Sequence, residues 1–383
     1  MSLLLLLSCA TPECARPQYQ RPECRVQAEN EFARLVTADG VDVRFHDPLG
    51  SEAPWDAAGL VHSMDGGARA RVGGLGGFRI TLTTTEPLTF SLRVDNVHPL
   101  IEPLQGEVER DGLSRHVVLD LGPGETEVVG VLPTAVCETG IRVAAGGDIQ
   151  TNPAHFRRIV TDLHDEAAHA DADGTPLMGL IILGDVSELT LEDELSEVLD
   201  ILSASPVPAA IVPGNHDVYD SKDAVFNRTI GPGNMAFTVC GARFVLLDSG
   251  SGFLADTIMG TLPQLIGSDW TTLVAGMHHP PHPGQTSAGW TDEPQAQMLL
   301  AELASHDADL VLAGHVHQRL AIEEAPVPEI IVGSLGADQY AVDPDYGYLR
   351  MTLTDTVDSC FVSVTTPGSP GVDRGPPDNC PPR

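Results

Sequence analysis

The 383-residue chain carries 21 lysines and arginines against 54 aspartates and glutamates, a formal charge of −33, and 42% of its residues are apolar. That apolar content excludes wholesale disorder, the length predicts two or three domains, and the negative field excludes a nucleic-acid scaffold or a polybasic membrane sensor. An anionic substrate then needs local positive charge, for which bound metal is the obvious source. No apolar run approaches the roughly 18 residues of a membrane-spanning helix, so the body of the protein is expected to be soluble.

At the N-terminus, Leu3 to Leu7 form a short apolar run followed by Ser8 and Cys9. Leu6-Leu7-Ser8-Cys9 resembles a bacterial lipobox, which implies export with a lipid anchor at Cys9 as the only membrane contact. The stretch departs from that pattern in lacking a basic segment and in its shortness. The expected location is the periplasm, the outer surface or the medium. Setting Cys9 aside from the seven cysteines leaves six: Cys14, Cys24, Cys137, Cys240, Cys360 and Cys380. Six allow about 15 pairings. The local ones, Cys14 with Cys24 and Cys360 with Cys380, are the simplest; the alternative is that several are ordinary buried thiols, for which Cys240, in a strand-like run, is the best candidate. None has the spacing of a thiolate zinc site.

Residues 10–30, rich in Pro, Gln and Glu, are expected to be a linker after a leader of residues 1–9. Short β-prone runs follow at 78–84, 88–94, 116–121 and 126–132, several alternating with period two and separated by glycine turns. They predict a small all-β sandwich over 31–140. The glycine cluster at 73–77 lacks a P-loop lysine and a following helix, so it is expected to be a turn.

After Ile141 the rhythm becomes strand, turn, helix, which predicts an α/β domain over 141–366. Apolar strands at 141–145, 177–183, 209–212, 272–277 and 310–313 each end in polar residues. Helices are expected at 154–170, 188–202 and 294–305, with closing strands at 330–333, 348–353 and 360–365. A Pro/Gly-rich tail occupies 367–383. In layered α/β folds, sites form at the carboxyl ends of strands, so ligands distant in sequence can converge there.

His164 and His169 imitate a zincin helix, but five residues at about 100° each leave them roughly 140° apart, so they do not share a metal. The informative set is Gly147-Asp148-Ile149-Gln150, Gly184-Asp185, Gly214-Asn215-His216-Asp217, His278-His279-Pro280 and Gly314-His315-Val316-His317. In this order they resemble the five blocks of the calcineurin-like metallophosphoesterases, a group that includes purple acid phosphatases and many phosphodiesterases. The resemblance covers about 141–365 and implies a four-layer α/β/β/α domain, here preceded by the sandwich.

It further implies two divalent or trivalent ions of Fe, Mn or Zn. Asp148, Gln150, Asp185 and His317 would hold the first. Asp185 would bridge to a second, completed by Asn215, His278 and His315. His216 would contact the phosphate and protonate the leaving oxygen, with Asp217 orienting its ring, while His279 is expected to touch substrate. The implied reaction is hydrolysis of a phosphomonoester or phosphodiester by in-line attack of a metal-activated hydroxide. The first block normally carries histidine where this chain has Gln150, a weaker neutral donor. That motivates a rival reading, a non-catalytic or one-metal binding module. A further rival makes the protein an envelope component whose sandwich is the working part. No tyrosine lies between Tyr19 and Tyr219, so the iron–tyrosinate of the purple enzymes is not expected. Substrate choice is expected to come from loops at 284–292 and 333–345.

Overall fold

The computed structural model describes residues 22–26, 36–46, 59–221, 223–284, 289–323, 326–338, 346–364 and 380. The leader with Cys9, the pairing of Cys14, the tail at 367–379 and parts of both specificity loops lie outside the described residues.

The first ten strands are β1 (Val36–Ala38), β2 (Val41–His46), β3 (Gly59–Met64), β4 (Gly67–Val72), β5 (Phe78–Thr84), β6 (Leu88–Asp95), β7 (Glu102–Pro103), β8 (Glu107–Asp111), β9 (Ser114–Leu121) and β10 (Gly124–Val131). They form two five-stranded sheets, ordered β1-β2-β5-β10-β7 and β3-β4-β6-β9-β8. Alternation dictates this packing: in β5 Phe78, Ile80 and Leu82 point inward while Arg79, Thr81 and Thr83 are less buried, as a half-buried strand requires. Those residues join Val43, Phe90, Leu92, Val117 and Leu119 in one apolar cluster fed by both sheets.

Eleven further strands follow: β11 (Ile141–Gly146), β12 (Leu177–Leu183), β13 (Ala209–Val212), β14 (Met235–Val239), β15 (Ala242–Leu247), β16 (Thr272–Met277), β17 (Leu310–Ala313), β18 (Arg319–Ile322), β19 (Glu329–Val332), β20 (Gly347–Leu353) and β21 (Val357–Ser363). They make one sheet ordered β13-β12-β11-β20-β21 and another ordered β14-β15-β16-β17-β19-β18. Strands β13, β12 and β11 run parallel, as do β15, β16, β17 and β19. These strands read as unbroken apolar runs because both faces are covered. One cluster lies between the sheets, with Val143, Ile181, Val212, Phe244, Val274 and Leu312. A second joins the outer face of the first sheet to helices α1 (Pro153–Asp173) and α2 (Glu192–Ser203), through Phe156, Leu163, Leu195 and Val198. A third covers the other sheet with α4 (Asp256–Ile266) and α5 (Glu293–Ser305), the short α3 (Asp223–Thr229) intervening in sequence.

Helix α1 begins where its sequence says it should. Asn152 caps His155, Pro153 occupies the first turn, and Gly174 ends the helix in the left-handed region at φ 74°, as expected of N-cap and C-cap residues. His164 is exposed, and its Nε2 contacts the Ala204 carbonyl, while His169 Nε2 sits 3.4 Å from Asp173. Between them Glu166 is buried against Arg142 and Arg350.

The glycine cluster at 73–77 is a docking turn. It delivers Leu75, fully buried, into the cluster between the two α/β sheets. A Cβ on Gly179 would lie 2.4 Å from Leu75 Cδ2, so glycine at that strand position leaves room for the incoming side chain. Asn96 clasps β13 from the sandwich side, accepting from Ala209 N at 2.8 Å and donating to Ala209 O at 2.9 Å. His98 Nε2 bonds Leu177 O at 3.0 Å, and Arg71 reaches Ile230 O at 3.0 Å.

Cys240 is not a free thiol: it is disulfide-bonded to Cys137, 103 positions earlier. Cys137 ends a short 3-10 turn leaving the sandwich, beside the β14–β15 hairpin, which strand propensity around 237–240 does not reveal. Cys360 pairs with Cys380 as expected, and Cys24 is disulfide-bonded. The expected linker also differs. Residues 22–26 form a helical turn in which Arg25 is fully buried against Asp248, and Val26 packs beside α4.

Candidate metal centre

The five polar blocks sit at the carboxyl ends of β11, β12, β13, β16 and β17, and the two sheets bring them together. The turns are tight. Asp148, Asp185, His315 and His317 have φ of 57°, 52°, 69° and 54°, four of the nine non-glycine residues with positive φ among the described residues. Such conformations cost about 1–3 kcal/mol each and persist where the surroundings over-determine them. A Cβ on Gly214 would fall 2.1 Å from Asp185 Oδ1, so only glycine lets the Asn215 loop approach that carboxylate.

Asp148, Asp185 and His317 offer ligand atoms within 4.8 Å of one another, and so do His278, His279 and His315. The imidazoles are oriented from behind. His278 Nδ1 donates to Leu183 O at 2.8 Å, and His317 Nδ1 donates to Asp338 O at 2.7 Å. Each bond fixes the proton on Nδ1 and leaves Nε2 facing the site, the arrangement expected of metal-binding histidines. Asn215 Nδ2 donates to Tyr219 Oη at 3.2 Å, which turns Asn215 Oδ1 inward to 3.0 Å from His278 Nε2. The same Nε2 is 3.3 Å from Asp185 Oδ2 and 3.2 Å from His315 Nδ1. One proton cannot serve three acceptors at once, whereas a cation can.

The electrostatics agree. Burial pushes the Asp148 carboxyl up to about 6 despite His278 and His317. Burial would also raise Asp185, but His278, through charge and hydrogen bond, holds it well below the usual carboxylate range. Burial opposes charge on His278 too, yet Asp185 and Asp148 prevail and push it up to about 9. Two fully buried carboxylates, neither bonded to an arginine or lysine among the described residues, need cationic compensation at this point.

Gln150 has an unpaired side-chain oxygen. Its backbone N donates to Asp185 O at 2.9 Å, and its side-chain Oε1 is buried with no hydrogen-bond partner. An orphaned neutral oxygen suits a hard cation, so the residues present fit the metals that the motif order implies.

His216 lies in a 3-10 helix (His216–Ser221), its backbone N bonded to Asp185 Oδ1 at 2.8 Å. Its ring is held by Glu188, whose carbonyl accepts from Nδ1 at 3.0 Å, and by Tyr219, whose hydroxyl is 3.3 Å from Nε2. The carboxylate of Asp217 does not touch that ring. It is fully buried and accepts from Val186 N, Ser187 N, Ser187 Oγ and Gly214 N at 2.7–3.1 Å. Burial, then the charge of Asp185, raises its carboxyl to about 6. Asp217 therefore ties the Asp185 loop to the Asn215 loop.

Two supporting hydroxyls went unanticipated. Ser249 Oγ accepts from His278 N at 3.1 Å and His279 N at 2.9 Å. Ser334 Oγ donates to Asp148 O at 3.0 Å. Ser249 had a signal: Asp248-Ser249-Gly250 is a polar triplet closing an apolar strand, like the five recognised blocks. His282 lies outside the clusters, its backbone N on the buried Glu329 carboxylate at 3.2 Å.

The sequence model described as "Calcineurin-like phosphoesterase" matches residues 141–319. A probable cyclic nucleotide phosphodiesterase of Synechococcus sp. is 28% identical over 149 residues, covering 36% of this chain and 57% of that protein. Another from Fibrobacter succinogenes is 29% identical over 109 residues, covering 27% of this chain and 41% of its own. The chain thus spans about half the length of the curated relatives it matches. In three dimensions it is similar to the purple acid phosphatase PPD1 from yellow lupin seeds, with TM-score 0.51 and 12% identity over 76% of this chain and 70% of that one. That likeness concerns the fold.

Proposed function

Residues 141–319 belong to the calcineurin-like phosphoesterase family, and from that premise we propose that the chain is a metal-dependent hydrolase of phosphodiesters, cyclic nucleotides being the first class to test. The carrying observation is the point around His278 Nε2, where Asn215 Oδ1, Asp185 Oδ2 and His315 Nδ1 converge within 3.3 Å, three acceptors that one proton cannot serve at once. The similarity to two probable cyclic nucleotide phosphodiesterases favours a diester over a monoester.

Asp148, Gln150, Asp185 and His317 would hold one ion, and Asp185, Asn215, His278 and His315 the other. Two such ions would supply Lewis acidity and a nucleophile from water at neutral pH. His216 handles the leaving group. With its Nδ1 proton committed to Glu188 O, Nε2 is the position that gives up a proton to the departing oxygen. The Glu188 carboxylate, 3.5 Å from Nδ1, provides countercharge when the ring holds both protons. Asp217 acts on catalysis only through the loop it anchors. The proposal includes a four-layer α/β/β/α unit over 141–366 with the 31–140 sandwich packed beside it. It also includes export, which the two disulfides favour, with Cys9 as an anchor.

The test is turnover of bis(4-nitrophenyl) phosphate, 4-nitrophenyl phosphate and 3′,5′-cyclic AMP by the metal-reconstituted full chain. Asn215→Ala and His278→Ala should each lose more than about 100-fold, beyond the cost of losing an outer partner, with lower bound metal. Near wild-type rates in both variants, or no turnover of any ester by the loaded wild type, overturn the proposal.

A further inference from the structure

His279 lies outside the ligand set that the motif order implies, yet it is built into the same histidine cluster. Its ring centroid is 4.3 Å from that of His315 and 4.9 Å from that of His278. It is 5% exposed, and its Nδ1 is buried with no hydrogen-bond partner. The backbone is pinned as firmly as that of His278, since one hydroxyl, Ser249 Oγ, receives both N–H groups. A buried, unpaired imidazole nitrogen is costly to leave unsatisfied, and a cation shared with His278 and His315 removes that cost. Gln150 adds a complementary observation at the neighbouring group. There Asp148, Asp185, Gln150 and His317 offer three oxygen-bearing side chains and a single imidazole.

We propose that His279 is a third imidazole ligand of the ion held by His278 and His315. The pair of sites is then asymmetric, one rich in nitrogen and one rich in oxygen. This rests on the metal-dependent reading above. Nitrogen-rich sites favour zinc over manganese, whereas oxygen-rich sites suit manganese. Zinc should therefore fill the histidine site first and tightly, leaving the Asp148–Gln150 site to a harder ion. The imidazole missing from the first block has in effect moved to the other site.

The experiment is chelator competition on the full, oxidised chain, stripped of metal and titrated with zinc and then manganese. Wild type, His279→Ala and Gln150→His are compared, and melting of each metal-free protein checks the fold. His279→Ala should weaken the tight zinc step about tenfold or more and leave the manganese step within twofold. Gln150→His should tighten only the second step. If His279→Ala fails to fold, the cobalt-loaded wild type decides by its ligand-field absorption together with the selectivity of the Gln150→His effect. An unchanged zinc step in folded His279→Ala, or a Gln150→His variant that alters the first step, overturns the assignment while the hydrolase reading stands. No metal bound by the wild type overturns both.

Discussion

Arg25→Met removes a guanidinium from a point where the N-terminal segment enters the core. Arg25 and Asp248 are 0% and 1% exposed; Nη2 donates to Asp248 Oδ1 at 2.9 Å and to Ser251 Oγ at 3.0 Å, and Nε donates to Asp248 Oδ2. Without the arginine, Asp248 retains only Gly250 N on Oδ1, at 3.0 Å, and Oδ2 is left buried and unsatisfied. Breaking a buried pair on one side costs about 3–5 kcal/mol, while methionine keeps much of the apolar stem. Urea unfolding of the oxidised protein at pH 7 should therefore lose about 3–5 kcal/mol. The pair replacement Arg25→Met with Asp248→Leu should recover most of the loss. Because Asp248 precedes Ser249, which holds His278 and His279, the single variant should also bind metal more weakly. A loss below about 1 kcal/mol, or a pair replacement as damaging as the single one, refutes this reasoning.

Glu329 is fully buried, and burial, only partly offset by His282 N, raises its carboxyl from 4.5 to about 7. Between those values the folded state keeps a proton that the unfolded chain has lost, so stability from this group is complete below pH 4.5 and declines as pH rises through 7. The decline is on the order of 3 kcal/mol. Glu329→Gln should flatten stability over pH 5–8, and an unchanged slope argues against the raised value. Cys240→Ser opens a loop of 103 residues, for which chain entropy gives a loss of about 4–5 kcal/mol. Reducing agent should bring wild type down toward the variant, and equal stability under oxidising conditions contradicts the pairing. Leu75→Ala should cost about 3–5 kcal/mol, because the side chain is fully buried between the α/β sheets. A loss under about 1 kcal/mol means the docking turn contributes little.

Much of this architecture is legible in the chain because its signals are local. The fully covered strands β12 and β16 read as apolar runs, and β5 reads as strict alternation. Asn152 and Pro153 announce α1. The five motif blocks are legible because each closes such a strand. What was missed is written in contacts at long separation. Arg25 is 223 positions from its partner and Cys137 is 103 from Cys240. Helix α4 was missed for a local reason, since Gly260 and Pro263 depress its propensity while Ile258, Leu262 and Leu265 bury its apolar face. The expectation that Asp217 orients His216 failed because adjacency in sequence at a turn is not adjacency of side chains. Asp217 faces the backbone of the neighbouring loop, and Glu188 and Tyr219 take the ring.

The seam between the two sheets of β1–β10 and the α/β sheets has a mechanical consequence. It is fastened at separated points: Leu75 between the sheets, the Asn96 clasp on β13, His98 on Leu177, and the covalent tie from Cys137 to Cys240. A hinge needs one narrow connection about which two bodies swing, and here the fastenings span several strands, so rotation about any one strains the others. Enzymes that close two jaws over a substrate gate turnover by that motion. In this molecule the bodies are fastened at several points, so a swing of one over the other is not available to gate access, and stiffening of the seam should leave the proposed hydrolysis unchanged.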